Sequence, residues 1–287
     1  MSPREFDAWL GLSHRKPLIM GVINLTPDSF SDGGQISGPD EAADFAEGMV
    51  QAGADWIDVG GESTRPGALP VPAEEQIHRT AGAIRAIRRR LNTIISIDTT
   101  DAQVAEAAAD EGANVVNDIS AGRGDARMFP LVARQRLGVI LMHMQGEPRS
   151  MQSAPSYGDV TAEVSEFLVA RRQTALDAGI QQSRILFDPG IGFGKSVSHN
   201  LQLLRDTGAL TQLGQPLVVG PSRKSFMGQI IGEVRPERRI FGTAASVAWC
   251  VANGAAVMRV HDVGPISQVV RMIQAIFDGN PAGFSQE

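Results

Sequence analysis

Short apolar runs alternate with helical patterns along most of the chain. Each run is followed by a polar loop and then by apolar residues at helical spacing. Runs that are apolar throughout, rather than alternating with polar residues, indicate strands buried on both faces of a parallel sheet. Eight runs fit this description: Leu18–Ile23, Trp56–Val59, Thr93–Ile97, Asn114–Val116, Val139–Met142, Ile185–Phe187, Pro216–Val219 and Val257–Val260.

The segments between these runs carry helix signals. One apolar stripe, beginning at Ile77 and ending at Leu91, follows Pro72, a residue that suits the first turn of a helix. Glycine stands shortly before several of the predicted strands, where it serves as a helix C-cap before the chain returns to the sheet. These glycines are Gly53, Gly112, Gly179 and Gly254.

Eight strand–helix units in 287 residues average about 36 residues each, which suits a (β/α)₈ TIM barrel. A doubly wound open sheet is the alternative, but it concentrates its chemistry at one switch point. Polar residues end nearly every run in this chain, so the barrel is preferred. We therefore predict an α/β protein with one domain over residues 1–287 and a core from about 18 to 279.

Composition narrows the functional classes. Hydrophobic residues make up 43% and charged residues 20% of the chain, as in ordinary soluble globular proteins. The net charge of −6 argues against a nucleic-acid partner, because a diffuse basic surface is missing. The single cysteine, Cys250, lies in an apolar run and is interpreted as a small buried side chain.

One stretch, Ile240–Met258, is long and uncharged enough to be considered as a membrane span. Its glycines, hydroxyls and Asn253 favour a buried helix, a turn and a strand instead. The N-terminus lacks the basic start and apolar centre of a signal peptide. We expect a cytoplasmic protein with no membrane partner.

Residues at the carboxyl ends of barrel strands converge on one mouth, where barrel enzymes place their active sites. The first group of such residues is Asp98, Asn117, Asp188 and Lys224. Carboxylates and an amide buried there need partners. A flat heterocycle with amino and ring N–H donors beside a carbonyl would satisfy all four side chains. The alternative is a set of internal ion pairs between Lys224 and Asp98 or Asp188.

A second group carries positive charge and hydroxyls. The loops after strands seven and eight are the usual phosphate site of this fold, and Arg offers a bidentate fork to phosphate oxygens. We therefore predict an anion site here, with solvated surface charge as the alternative. The second group consists of Thr64 and Arg65, Ser222 to Lys224, and Arg259 with His261.

Two further motifs affect the choice of cofactor. The run Pro189–Ser196 nearly fits a P-loop, but Pro189 occupies the place of the first glycine. Its glycines are interpreted as allowing a close turn beneath a flat ligand. No zinc spacing is present. A metal would be a hard ion such as Mg²⁺, held by Asn24 with phosphate and water.

These motifs resemble those of the dihydropteroate synthase family from about Leu18 to Val263. The matching segments occur in the family's order, and the long ones are specific to it. They are Gly21–Gly34, Asp58–Gly67, Ser96–Thr99, Val116–Ile119, Leu141–Gly146, Asp188–Lys195, Ser222–Ser225 and Arg259–Asp262.

The resemblance implies condensation of 6-hydroxymethyl-7,8-dihydropterin pyrophosphate with p-aminobenzoate on the folate pathway. It also implies a TIM barrel, Mg²⁺, a homodimer and inhibition by sulfonamides. Asp98, Asn117, Asp188 and Lys224 correspond to pterin contacts, and Thr64, Arg65, Arg259 and His261 to pyrophosphate contacts. Asp98, Lys224, Arg259 and His261 are the expected catalytic residues, and Asn24 the metal ligand. Positions around p-aminobenzoate are Thr26, Pro27, Pro66, Phe193 and Ser225.

Two other interpretations stay open at this point. A pterin-binding methyltransferase shares the barrel and the pterin floor, but it has no use for a pyrophosphate site built from Thr64, Arg65 and Arg259. A non-catalytic pterin-binding paralogue would have little reason to keep Asn24, Asp98, Lys224 and Arg259 together. One departure from the family is Asp101, where many members have Lys; we expect it to cap a helix.

The polar, Gly-rich stretch Thr26–Gly34 is predicted to act as a lid. It lies where the second substrate enters, and its sequence offers little to pack. We expect it to be mobile in the free enzyme and to become ordered with the Thr64–Gly67 loop once the pterin site is filled.

Overall fold

Eight parallel strands form a nearly closed barrel in the computed structural model, which describes residues 1–26, 36, 38–65, 67–233 and 235–279. The strand order is β6-β5-β4-β3-β2-β1-β8-β7, and a bridge between Phe187 and Leu217 joins the two ends. The predicted fold class is therefore confirmed. The strands are β1 (Leu18–Asn24), β2 (Trp56–Gly60), β3 (Ile94–Asp98), β4 (Val115–Asp118), β5 (Gly138–Met142), β6 (Ile185–Asp188), β7 (Val218–Val219) and β8 (Val257–Val260).

Helices surround the barrel and bury its outward-facing side chains. Short 3₁₀ turns at Gln182–Arg184 and Pro236–Arg238 complete the connections. The helices are α1 (Pro3–Leu10), α2 (Pro39–Gln51), α3 (Ala73–Arg90), α4 (Ala102–Asp110), α5 (Met128–Gln135), α6 (Val160–Asp177), α7 (Val197–Arg205), α8 (Thr207–Thr211), α9 (Ser225–Ile231), α10 (Ile240–Ala252) and α11 (Val263–Asp278).

Local predictions about the connections hold. Gly53 and Gly112 follow α2 and α4 with φ of 108° and 107°, a region that favours glycine. Asp101 caps α4, because its carboxylate accepts the N–H groups of Gln103 and Val104. The uncharged stretch is a helix, a turn and a strand, with Cys250 buried in the helix. In the described parts of the chain, no helix has the length and apolarity needed to cross a membrane.

Helix α1 closes the amino-terminal end of the barrel. A capping box between Ser2 and Glu5 begins it. Its side chains Phe6, Trp9 and Leu10 pack against apolar side chains from the strands, among them Met20 and Trp56. The packed core therefore begins at Phe6, ahead of the predicted start at residue 18. The sequence prediction missed this helix because it precedes the repeating strand–helix units.

Replacing Phe6 with alanine is expected to lower the free energy of unfolding by about 3 kcal/mol. Phe6 is 2% exposed and packs edge-on against Trp56, so its removal leaves a cavity at the base of the barrel. Chemical denaturation measures the change. Leu12→Ala, at a side chain that is 49% exposed, is the control. Equal stability of the two variants would contradict a structural role for α1.

Strand register places four residues in one row across the barrel wall. Asn24 of β1 pairs with Gly60, Gly60 with Asp98, and Asp98 with Asn117. Residues in register point to the same face of a sheet, so all four face the interior at the carboxyl ends of the strands. One layer lower, Asp58 and Ser96 are paired in register on the same face. The barrel interior is thus apolar at its base and polar at its mouth.

Candidate active site

An inner recess at the mouth collects the first predicted group. Asp98, Asn117, Asp188 and Lys224 all line it, with Ile119, Met142, Ile191, Phe193, Gly220 and Arg259. Polar side chains thus surround the space, and one aromatic and three aliphatic side chains supply its apolar surface. In the described part of the chain, no hydrogen-bond partner reaches Asp98 Oδ1, which is buried. The recess therefore offers an unsatisfied acceptor to a ligand that carries N–H donors.

Arg259 ties two acidic residues together inside the barrel. Its Nε lies 2.7 Å from Asp58 Oδ2, and its Nη2 lies 2.7 Å from Asp98 Oδ2. The internal ion pair of Asp98 is therefore made with Arg259 and not with Lys224, the partner considered from the sequence. Burial acts to lower the pKa of Arg259, but the two carboxylates outweigh it and hold that pKa above its ordinary value.

Asp58 organises this cluster, although the sequence analysis did not assign it to the site. The carboxylate is fully buried and accepts hydrogen bonds from Ser96 Oγ, from Asn117 Nδ2 at 3.2 Å and from Arg259 Nε. Trp56 Nε1 donates to Ser96 Oγ at 2.8 Å and extends the network downward. The available signal was a carboxylate inside an otherwise apolar strand, since such a group needs buried partners.

Burial dominates the acidity of the two recess carboxylates. It raises the pKa of Asp98 to about 7, with Arg259 opposing the rise and Asp58 adding to it. It raises the pKa of Asp188 to about 6, while the N–H of Gly190, which donates to Asp188 Oδ1 at 2.7 Å, opposes the rise. The protonation state of each carboxylate can therefore change when a charged or proton-donating ligand binds.

Lys224 stands between the inner recess and the outer part of the mouth. Its Nζ lies 4.1 Å from the centroid of the Phe193 ring, within cation–π range. Burial and Arg259 lower the pKa of Lys224 to about 8, against Asp188 and Asp98, which raise it. Lys224 and Phe193 line both cavities and so form the boundary between them.

The outer cavity has a volume of about 320 Å³ and carries the second predicted group. Thr64, Arg65, Arg259 and His261 all line it, together with Asn24, Ser222, Arg223 and Arg239. The structure thus brings cations from the loops after β2 and β7 and from strand β8 itself to one rim. Arg239 is a residue that sequence reasoning did not single out; its guanidinium donates to the carbonyls of Arg223 and Glu233 at 2.8 Å and 3.1 Å.

His261 is neutral in the free site. Burial and the neighbouring Arg259, Arg223, Lys224 and Arg65 lower its pKa to about 3. Its Nδ1 lies 3.0 Å from Ser222 Oγ, and its backbone N–H donates to the same oxygen at 3.2 Å. A bound anion would offset the surrounding positive charge and raise the pKa of His261. The rim is therefore a cluster of positive charge around a cavity, and its binding of an anion stays a prediction.

The residues expected around p-aminobenzoate divide into two sets. Thr26, Phe193 and Ser225 line the outer cavity, and Ser225 begins α9. Pro27 and Pro66 lie outside the described residues. The predicted lid, apart from Thr26, lies outside them as well, so its behaviour remains a prediction.

The donors present fit a hard metal ion. Asn24 lines the outer cavity at the end of β1, and its amide oxygen is the kind of ligand that Mg²⁺ accepts. The described residues contain no cluster of three or more His, Cys, Asp or Glu side chains suited to a metal. One protein oxygen suits Mg²⁺ that keeps phosphate and water ligands.

Comparisons with known proteins identify the family. The model of the pterin binding enzyme family matches residues 20–261. This chain belongs to that family. A curated dihydropteroate synthase from Synechocystis is 43% identical over 263 residues, which cover 92% of this chain and 91% of the relative.

Two solved structures show that this pterin binding enzyme shares its architecture with dihydropteroate synthases. The Yersinia pestis dihydropteroate synthase in a sulfonamide drug complex has a TM-score of 0.88 and 39% identity, covering 92% of this chain and 95% of that one. The Xanthomonas albilineans enzyme in complex with 7,8-dihydropteroate has a TM-score of 0.82 and 38% identity, covering 93% and 95% of the two chains.

Proposed function

We infer that this chain is a transferase of folate biosynthesis that makes 7,8-dihydropteroate. It condenses 6-hydroxymethyl-7,8-dihydropterin pyrophosphate with p-aminobenzoate and releases pyrophosphate. The observation that carries this activity is the adjacency of the two cavities, which meet at Phe193, Lys224, Gly220 and Arg259. A pterin recess alone would also suit a methyltransferase, but the rim of cations beside it serves a pyrophosphate.

The inner recess is proposed to bind the pterin ring. The carboxylates of Asp98 and Asp188 and the amide of Asn117 face the amino and ring N–H donors, and Lys224 faces the carbonyl oxygen. Met142 and Ile119 supply apolar contact to the ring faces. Asp98 Oδ1, a buried acceptor without a hydrogen-bond partner among the described residues, gains one from this ligand, which favours a pterin over an apolar ring.

The outer cavity is proposed to bind the pyrophosphate and p-aminobenzoate. Arg65, Arg259 and neutral His261 donate to phosphate oxygens, and Thr64 adds a hydroxyl donor. Phe193 and Thr26 flank the arylamine, and the hydroxyl of Ser225, which lines the same cavity, can donate to its carboxylate. The Xanthomonas albilineans relative in complex with 7,8-dihydropteroate supports adjoining sites for the two halves of the product.

The proposed reaction breaks the bond between the pterin methylene carbon and its oxygen. The electron pair of that bond leaves with pyrophosphate, whose charge Arg65 and Arg259 stabilise. The carboxylate of Asp98 stabilises positive charge on the methylene-pterin. The amine of p-aminobenzoate then forms the carbon–nitrogen bond with its lone pair and loses a proton. An arylamine is nucleophilic at neutral pH, so no strong base is required.

Asn24 is proposed to hold Mg²⁺ at the pyrophosphate site. When bound, the ion supplies positive charge to the leaving group. Replacing Asn24 with alanine is expected to raise the Mg²⁺ concentration for half-maximal activity about tenfold, as expected when a ligand contact is lost. Asn92→Ala, the same change at an exposed asparagine before β3 and away from the mouth, is the control. An unchanged Mg²⁺ requirement would exclude Asn24 as the ligand.

The activity is tested by product formation with the purified protein. Pyrophosphate and 7,8-dihydropteroate are expected only when dihydropterin pyrophosphate, p-aminobenzoate and Mg²⁺ are all present. Pterin binding without pyrophosphate release would favour a binding protein. Methyl transfer from a methylated tetrahydrofolate would favour the methyltransferase.

A homodimer is proposed to form through the late helices α10 and α11. These helices expose large apolar side chains: Phe241, Trp249, Met272, Ile276 and Phe277. Exposed apolar clusters of this kind mark protein–protein contacts. Sedimentation equilibrium is expected to give about twice the chain mass of 30.6 kDa. The monomer mass at micromolar concentration would contradict the proposal.

A cytoplasmic location is proposed from the soluble substrates and is tested by cell fractionation.

A further inference from the structure

Lys195 is a buried cation that the proposed reaction does not use. It ends the glycine-rich segment 189–195 after β6, and only 3% of its surface is exposed. It lines neither of the two substrate cavities. A buried lysine without hydrogen-bond partners would strongly oppose folding. The groups around its ammonium must therefore offset the cost of burying it.

Three acceptors surround Lys195 Nζ. They are Nδ1 of His143 at 3.0 Å, the carbonyl of His143 at 3.3 Å and the carbonyl of Phe193 at 3.0 Å. An ammonium group has three N–H donors, one for each acceptor, whereas a neutral amine has two. Burial and Lys195 itself lower the pKa of His143 to about 3, so the imidazole is neutral and can accept through Nδ1.

Burial opposes the positive charge of Lys195, whereas its hydrogen-bond acceptors favour that charge. Burial lowers its pKa to about 7, with Asp188 acting to raise that pKa and Lys224 to lower it. The three acceptors favour the ammonium form in this surrounding. Lys195 is therefore a cation held by acceptors from two loops, one after β5 and one after β6.

Glycines allow the two strand-end loops to approach closely enough for this contact. A Cβ at Gly190 would lie 1.9 Å from the carbonyl oxygen of His143, and a Cβ at Gly194 would lie 2.3 Å from the carbonyl oxygen of Gln145. Both glycines have positive φ, 68° and 60°. The close turn that the sequence predicted thus packs against the neighbouring loop that begins at His143. Lys195 joins the two loops through its hydrogen bonds.

The loop held by Lys195 supports two residues that the proposed function places against substrate, Phe193 and Lys224. The Phe193 carbonyl is bound by Lys195, and the Phe193 ring stands against Lys224 Nζ. A Cβ on Gly192 would lie 2.9 Å from Lys224 Cδ, so the loop backbone also packs against the lysine stem. A shift of the loop would therefore move the boundary between the pterin recess and the outer cavity.

We propose that Lys195 is a positioning residue that clamps the 189–195 loop to His143 and so sets Phe193 and Lys224 for the pterin and p-aminobenzoate. The kinetic part of this proposal rests on the proposed synthesis of dihydropteroate. The clamp itself is a property of the free protein and can be measured without turnover.

Lys195→Met tests the clamp with a side chain of similar length and no charge. Hydrogen exchange of amides in the 189–196 segment is expected to accelerate about tenfold or more. The KM values for both substrates are expected to rise about tenfold, and kcat to fall less than about threefold. Lys16→Met, the same change at an exposed residue, is the control and should match wild type.

A second pair of variants applies if Lys195→Met does not fold. His143→Asn keeps an acceptor near the Nδ1 position, whereas His143→Leu has similar size and no acceptor. Wild-type exchange and KM are expected for His143→Asn, and the Lys195→Met behaviour for His143→Leu. A packing role alone would make the two variants alike, which would overturn the proposal, as would unchanged exchange in Lys195→Met. An inactive wild-type protein with intact protection of the segment would instead contradict only the proposed function.

Discussion

Asp98→Asn is expected to lower kcat by about two to three orders of magnitude, the range seen when one electrostatic contact to a transition state is removed. The asparagine keeps the shape and one acceptor for the pterin, but it lacks the charge that stabilises the cationic methylene-pterin. Pterin affinity is therefore expected to fall much less than turnover. Steady-state kinetics and calorimetric binding of the pterin substrate measure the two effects. Equal losses in both would exclude this role.

Asp101→Asn is a matched control for that experiment. Asp101 lies three residues further along the same loop and caps α4, where asparagine is an equally good N-cap. Its kcat should stay within about twofold of wild type, because a surface change of this kind is nearly neutral. A comparable loss in both variants would point to disturbance of the β3–α4 loop rather than to the lost charge.

The pH dependence of Asp98 gives a second readout. Because the pKa of Asp98 in the free protein is about 7, the carboxylate form increases as pH rises through 7. The kcat/KM of wild type should therefore rise between pH 6 and 8 more steeply than that of Asp98→Asn. Folded Asp98 binds its proton more tightly than unfolded Asp98, so its contribution to stability is lost as pH rises from about 4 to 7. The stability of Asp98→Asn relative to wild type should increase over that range.

The row of residues at the mouth could be predicted because the barrel repeats. Once parallel strands are assigned, their carboxyl ends must meet, and Asn24, Asp98 and Asn117 follow from where the apolar runs end. The cations of the rim follow in the same way from the loops after strands two and seven and from strand eight itself. The family resemblance added the substrates to a set of residues already grouped by position.

The partners of these residues could not be predicted in the same way. Arg259 meets Asp58 across a separation of 201 residues, and no spacing along the chain indicates which carboxylate it chooses. The side chain of Lys195 folds inward although its motif looks like a phosphate loop, a result of close backbone packing at Gly190 and Gly194. Helix α1 lies outside the repeat and was missed for that reason. Pairing and packing inside the barrel depend on three-dimensional distances that periodicity does not contain.

Arg259→Met is expected to lower the free energy of unfolding by about 3–5 kcal/mol near pH 8, in addition to abolishing most activity. The change leaves the buried carboxylates of Asp58 and Asp98 close together with their shared cation removed. Arg259 acts to lower the pKa of Asp98, so its loss raises that pKa further. Denaturation at pH 8 and pH 6 should show a smaller loss at pH 6, because protonation of Asp98 relieves the repulsion.

The double variant Asp58→Asn, Arg259→Met separates the two roles of the arginine. It removes one carboxylate together with the cation, so most of the stability lost in Arg259→Met should return. Activity should not return, because the pyrophosphate still lacks the guanidinium at the rim. Arg134→Met, an exposed arginine paired with Glu106, controls for loss of a surface ion pair and should change stability by less than about 0.5 kcal/mol. Recovery of activity in the double variant would show that Arg259 serves only to hold the two acids, and pyrophosphate stabilisation would then have to come from Arg65 and His261.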